Sequence, residues 1–160
     1  MKESADGVGQ DAVVDAVLTA SRVLVAIAAR SLSDAGEAVT LTQYRTLVLL
    51  ASRGPQSLAA LADTLSVTPP TASRMCERLV RKHLVTRRPD RSDRRQVRIA
   101  IGVAGRRLID AVTANRRREI AALLAAVPPV ERPALVTALG RLAESAGEVP
   151  EQEWSSGWEL

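Results

Sequence analysis

Residues 58–101 read LAALADTLSVTPPTASRMCERLVRKHLVTRRPDRSDRRQVRIAI. Along this stretch the apolar period changes from that of a helix to that of a strand. Ser57 is placed to cap the short helix SLAALADTL, in which Leu58, Leu61, Ala62 and Leu65 share a face. The polar SVT separates it from a second helix, PPTASRMCERLVRKHL. Prolines suit the first turn, where N–H groups lack intrahelical partners, and a residue before proline is pushed out of the α region. Thr68 or Pro69 is therefore the boundary. Ala72, Met75, Cys76, Leu79 and Val80 form a core-facing stripe at helical spacing. Thr71, Arg74, Arg78 and Arg81 stack along another face, three and four residues apart.

Beyond Leu84, Val97, Ile99 and Ile101 alternate with Gln96, Arg98 and Ala100, and Leu84–Thr86 supply a matching run. That pattern predicts a hairpin with RRPDRSDRR, Arg87–Arg95, at its tip. Five arginines so close repel one another unless an anion meets them or Asp90 and Asp93 neutralise them. An arginine loop alone is more often a solvated surface, but beside a basic helical ladder the contact reading gains. Asp90 is expected only to moderate the repulsion. From Arg74 to Arg98 the cations outnumber the carboxylates ten to three, a focusing that points to a polyanionic partner.

Outside this stretch, apolar positions from about Asp11 to Ser33 predict one long helix. A second runs from Thr42, as N-cap, to Gly54-Pro55. After Gly102 and Gly105 a long helix reaches about Val127, where Pro128-Pro129 breaks it, and a last helix covers about Glu131 to Ala146. The final fourteen residues hold four glutamates and no Lys or Arg, so the chain's net +4 is +8 over residues 1–146. Such a terminus, with Trp154 and Trp158, is expected to be mobile rather than docked.

With 160 residues, 46% of them apolar, the chain can build one domain without metal or disulfide staples. Cys76 stands alone, which excludes a disulfide framework. The polar start and the short run VLVAIAA predict neither a secretion signal nor a membrane span. Phe is absent and both Trp lie in the tail, so the basic region has no platform for unstacked bases. Duplex DNA is favoured over single strands.

Helix, short turn, basic helix and charged hairpin follow one another as in a winged helix-turn-helix, a mainly α fold with a small β hairpin. Thr71, Ser73, Arg74 and Arg78, near the start of the basic helix, are candidates for the major groove. Pro69 and Pro70 remove backbone donors there and offer apolar surface that suits a thymine methyl. Arg81, Lys82, Arg87, Arg88 and Arg98 are candidates for phosphate contacts.

The run from LAALADTL through TRRPDRSDRRQVRIAIGVAGRRL resembles the MarR (multiple antibiotic resistance regulator) family of bacterial transcription factors, over roughly residues 12–146. The most specific element is Asp93, Arg94, Arg95, QVRIAI and the following glycine. The lone Cys76 fits a reducing cytoplasm, and the resemblance implies a homodimer, a repressor of an inverted-repeat operator, with a winged helix-turn-helix at about 42–101 and dimerisation helices at about 11–34 and 103–146. It also implies a wing of Arg91, Asp93, Arg94 and Arg95 in the minor groove, with Arg95 inserted and Asp93 holding it. A small phenolic or lipophilic effector is a further implication, with Tyr44 bordering its pocket, although Tyr44 equally suits a core aromatic. Two positions depart from the family: His83 stands where a glycine usually ends the recognition helix, and Gly102 where Thr or Ser usually caps the next.

Other readings fare worse. Cys76 and His83 lie roughly 10 Å apart along a helix, too far for a nucleophile and its base. One His and one Cys cannot complete a zinc site, so neither enzyme chemistry, metal nor cofactor is expected. Cys76, on a core face, reads as an inert thiol. The competing function is a non-specific architectural or nucleoid DNA-binding protein; an interaction module for an acidic protein is a distant third.

Overall fold

The computed structural model describes residues 9–36, 39–90, 96–151 and 154. The elements run α1 (Gln10–Asp34), α2 (Leu41–Arg53), β1 (Gln56–Ser57), α3 (Leu58–Thr64), α4 (Pro69–Arg81), β2 (Val85–Pro89), β3 (Val97–Ile101), α5 (Val103–Leu124) and α6 (Arg132–Ser145). A 3-10 turn, Pro129–Glu131, bridges the proline break before α6.

The N-cap of α2 is Thr40, not Thr42. Its Oγ1 accepts from the Gln43 N–H at 3.2 Å while the Gln43 side chain accepts from the Thr40 N–H at 3.0 Å. This reciprocal capping box satisfies two orphan donors, which a cap at Thr42 would forgo. Ser57 caps α3 as its position predicts, accepting from Ala60 N at 3.1 Å.

Both helices of the helix-turn-helix end in the same way. At the end of α3, Ser66 takes φ +52, and the N–H groups of Ser66 and Val67 return to the carbonyls of Asp63 and Ala62. At the end of α4, His83 takes φ +58, while His83 N–H donates to Val80 at 2.9 Å and Leu84 N–H to Leu79 at 3.0 Å. These are Schellman closures, which usually place glycine at the left-handed residue. His83 fills that position, and the turn is complete despite the steric cost of a side chain there.

Gly102 is not merely a weak substitute for a capping hydroxyl. Its N–H donates to the Leu84 carbonyl at 2.9 Å, and a Cβ on it would lie 2.9 Å from the carbonyl of His83. At Gly105 a Cβ would lie 2.2 Å from the Leu84 carbonyl. The start of α5 therefore rests backbone against backbone on the turn that follows α4.

The hairpin gains a third strand. β3 lies between β1 and β2, antiparallel to both, with Ser57 opposite Arg98 and Arg88 opposite Arg98 on the other side. Two residues are too few to show a period, so β1 leaves no signal in the pattern.

One core joins these elements: Leu32 of α1, Leu47 and Leu50 of α2, Leu61, Met75, Cys76, Leu79, Leu84, Ile99, and Leu108, Ile109 and Val112 of α5. The arms differ. Val13, Val14, Val17, Leu18 and Leu24 of α1, Leu123 and Leu124 of α5, and Val136, Leu139 and Leu142 of α6 are all exposed. With a mean hydropathy of 1.9 in its most apolar window, α1 is long and apolar enough to cross a bilayer. The short run VLVAIAA conceals this because small and apolar residues continue on either side of it.

Candidate nucleic-acid interface

The recognition-type helix α4 separates its faces cleanly. Ala72, Met75, Cys76 and Leu79 are buried, whereas Pro69, Pro70, Thr71, Arg74, Arg78 and Arg81 are exposed. Prolines occupy its first two positions, and Thr68 ends the approach in extended conformation without a side-chain cap to the backbone. The Thr68 hydroxyl bonds instead to that of Thr71, at 2.9 Å. Among the described residues, Arg74, Arg78 and Arg81 form no ion pair with a carboxylate. A row of unmatched guanidinium groups on a rigid helix is a surface prepared for external anions.

Ser73 is only half exposed and donates to Glu77 Oε1 at 3.3 Å; the same oxygen lies 3.9 Å from Arg87 Nη2 on β2. Glu77 escaped the sequence reading because it interrupts a basic face and reads as an ordinary helix charge. In space it stands between the helix ladder and the first strand of the wing. Lys82 is half buried and Arg88 exposed, both beside this face.

At the neck of the hairpin the structure corrects one expectation. Asp90 does more than dilute positive charge: it is buried, 5% exposed, and accepts from Arg98 Nε. Arg98 Nη1 also donates to the Pro55 carbonyl at 3.2 Å, and Asp90 N–H to Gln96 at 2.8 Å. Arg98, expected at phosphate, thus spends two donors tying the hairpin to the loop before β1. Arg91, Asp93, Arg94 and Arg95 lie outside the described residues, as does the expected Asp93–Arg95 pairing.

Residues 39–97 match the MarR family. Among curated proteins, an uncharacterized HTH-type transcriptional regulator of Mycobacterium bovis, Mb0904, is 31% identical over 112 residues, covering 70% of this chain and 78% of that protein. The HTH-type transcriptional repressor NicR of Pseudomonas putida is 31% identical over 107 residues, covering 67% and 68%. The chain belongs to the MarR family. The crystal structure of RV1404 from Mycobacterium tuberculosis superposes with a TM-score of 0.81 at 41% identity, covering 94% of this chain and 99% of that one. A mutant of S. aureus MepR bound to an oligodeoxyribonucleotide shares the fold, with a TM-score of 0.60 at 22% identity, covering 83% and 96%. MarR proteins are DNA-binding transcriptional regulators, not enzymes, and the helix-turn-helix and wing found here are the corresponding parts of this member.

Away from α4, this MarR protein has a cavity of about 390 Å³ between α2 and α5. Tyr44, Val48, Thr113, Arg116 and Ile120 line one side, and Glu148, Glu151 and Trp154 another. Tyr44 is a buried core residue, and it also lines this cavity. Burial pushes its phenol pKa up, opposed by hydrogen bonding to Thr113 and by the charge and hydrogen bonding of Arg116. Cys76 is fully buried, and its thiol is pushed up to about 11 by that burial, opposed only in part by Arg87. Almost no thiolate then exists at neutral pH, which fits an inert core residue.

Proposed function

We propose that the protein is a cytoplasmic homodimeric repressor that reads an inverted-repeat duplex operator. The carrying observation is the exposed row Thr71, Arg74, Arg78 and Arg81 on a helix whose opposite face is locked into the core. Pro69, Pro70, Thr71, Ser73, Arg74 and Arg78 face the major groove, and Arg81, Lys82, Arg87 and Arg88 meet phosphates. Arg98 serves the same backbone mainly by holding the hairpin in place. The wing residues Arg91, Asp93, Arg94 and Arg95 enter the minor groove, where negative potential favours an inserted guanidinium.

The exposed apolar faces of α1, α5 and α6 support the homodimer, since a single chain leaves them in water and a second copy covers them together. That partner also accounts for the apolarity of α1 without a membrane. The cavity at Tyr44 is the effector site in this reading and takes a small lipophilic or phenolic molecule.

Selecting bound sites from random duplex DNA tests the reading. The expected product is a palindrome with half-sites about one helical turn, roughly 10 bp, apart, preferred by about 10³-fold or more over random DNA. A flat preference would instead support the non-specific architectural alternative. Arg95→Ala is expected to weaken operator binding at matched salt while leaving the melting temperature unchanged; unchanged affinity refutes the wing assignment.

A further inference from the structure

Residues 147–151 and Trp154 of the acidic C-terminal segment do not trail from α6. Gly147 takes φ +68 and closes the helix, with its N–H on the Glu144 carbonyl at 2.9 Å and the Glu148 N–H on that of Ala143 at 3.0 Å. The chain turns back onto α2 and α5. Arg53 Nη2 donates to the Gly147 carbonyl at 3.0 Å, and Arg45 offers both terminal nitrogens to the two carboxylate oxygens of Glu148. Arg117 Nη2 lies 2.7 Å from Glu151 Oε2. The Trp154 indole N–H donates to the Val149 carbonyl at 2.9 Å, and Trp154 packs against the core. Glu148, Glu151 and Trp154 together form one wall of the α2–α5 cavity.

We propose that this C-terminal segment is a strap whose carboxylates hold Arg45 and Arg117 at the edge of the cavity, and that a small aromatic anion must displace it to reach those arginines. The inference rests on reading the cavity as a ligand site. The strap already places two carboxylates on cavity arginines and an indole beside apolar lining, the same groups an aromatic acid offers. Arg116 also lines the cavity, and its Nε is buried with no hydrogen-bond partner among the described residues. The strap is also built to release. Its ion pairs leave their side chains 36–64% exposed, where such pairs are individually weak, and its hold comes from the high effective concentration that tethering gives.

The test uses the full chain carrying Glu148→Gln and Glu151→Gln, with 2-naphthoate as probe, titrated calorimetrically against the unaltered chain. Both proteins carry Trp158→Phe, so that fluorescence reports Trp154 alone. Release of the strap is expected to tighten 2-naphthoate binding by about five- to ten-fold and to open Trp154 to acrylamide quenching. Far-UV circular dichroism verifies folding, and Trp154→Ala, which keeps both carboxylates, is expected to tighten binding in the same direction. Equal or weaker binding by the released chains, or unchanged quenching, overturns the strap while leaving the cavity a ligand site. Binding by neither protein overturns the cavity reading and the strap with it.

Discussion

Two groups of arginines divide the surface of this protein, and their surroundings are opposite. Arg74, Arg78 and Arg81 stand on α4 without a carboxylate among the described residues, while Arg45 and Arg117 are met by Glu148 and Glu151 from the chain's own end. Count and charge are similar; the difference is whether the molecule answers its own cations. An internally matched group can hold a segment or compete for a small anion, whereas an unmatched one on a rigid helix is left for a polyanion. Glu148 and Glu151 of the tail therefore answer arginines of α2 and α5, not those of α4.

The comparison can be broken at either group. The largest effect is expected from Arg74→Ala, which should cost about 1–3 kcal/mol of operator binding if its base contact is bidentate, and change preference at one position per half-site. A loss spread evenly over all sequences, read from binding to a panel of single-base variants, would make Arg74 a phosphate contact instead. Arg98→Ala probes an intermediate case, an arginine answered by a buried carboxylate. Leaving Asp90 without it should lower stability by about 2 kcal/mol, measured by urea unfolding. Arg45→Ala, which removes a pair exposed by about two fifths, should cost only about 0.2–1 kcal/mol and leave the salt dependence of DNA binding unchanged.

The smallest effect is one of pH. Hydrogen bonding from Arg45 holds the Glu148 carboxyl below its ordinary 4.5, against a smaller opposing effect of burial. A depressed carboxylate contributes its stabilisation above the unfolded-state value and loses it as pH falls through the folded one. With Trp158 replaced by Phe, Trp154 emission is expected to stay constant from neutral pH down to about the ordinary glutamate value and to shift red below it. A shift already complete near neutrality would mean that Glu148 does not hold the segment.

What the sequence made legible follows from how local each signal is. Pro69-Pro70, Gly54-Pro55 and the apolar stripe of α4 announce themselves within one or two turns, so the helices fall where the pattern predicts. Even the Thr40 cap has a local signal, Gln43 three residues on, which completes the capping box. Contacts between distant segments left no comparable trace. Asp90 and Asp93 look alike in RRPDRSDRR, and only the placement of Arg98 and Pro55 shows that Asp90 is buried. The tail reads as solvated because its partners, Arg45, Arg53 and Arg117, are 34 to 103 residues away.

The bare backbone contact at Gly102 and Gly105 carries a mechanical consequence. With no side chain between the start of α5 and the turn after α4, the two backbones meet directly at His83 and Leu84, which ties the start of the long helix to the turn that follows the recognition helix. A helix of 22 residues is about 33 Å long, so tilting it by roughly 6° sweeps its far end through about 3.5 Å. In the homodimer proposed above, a displacement of that size at the far end of α5 is passed to the turn after α4 through this backbone contact.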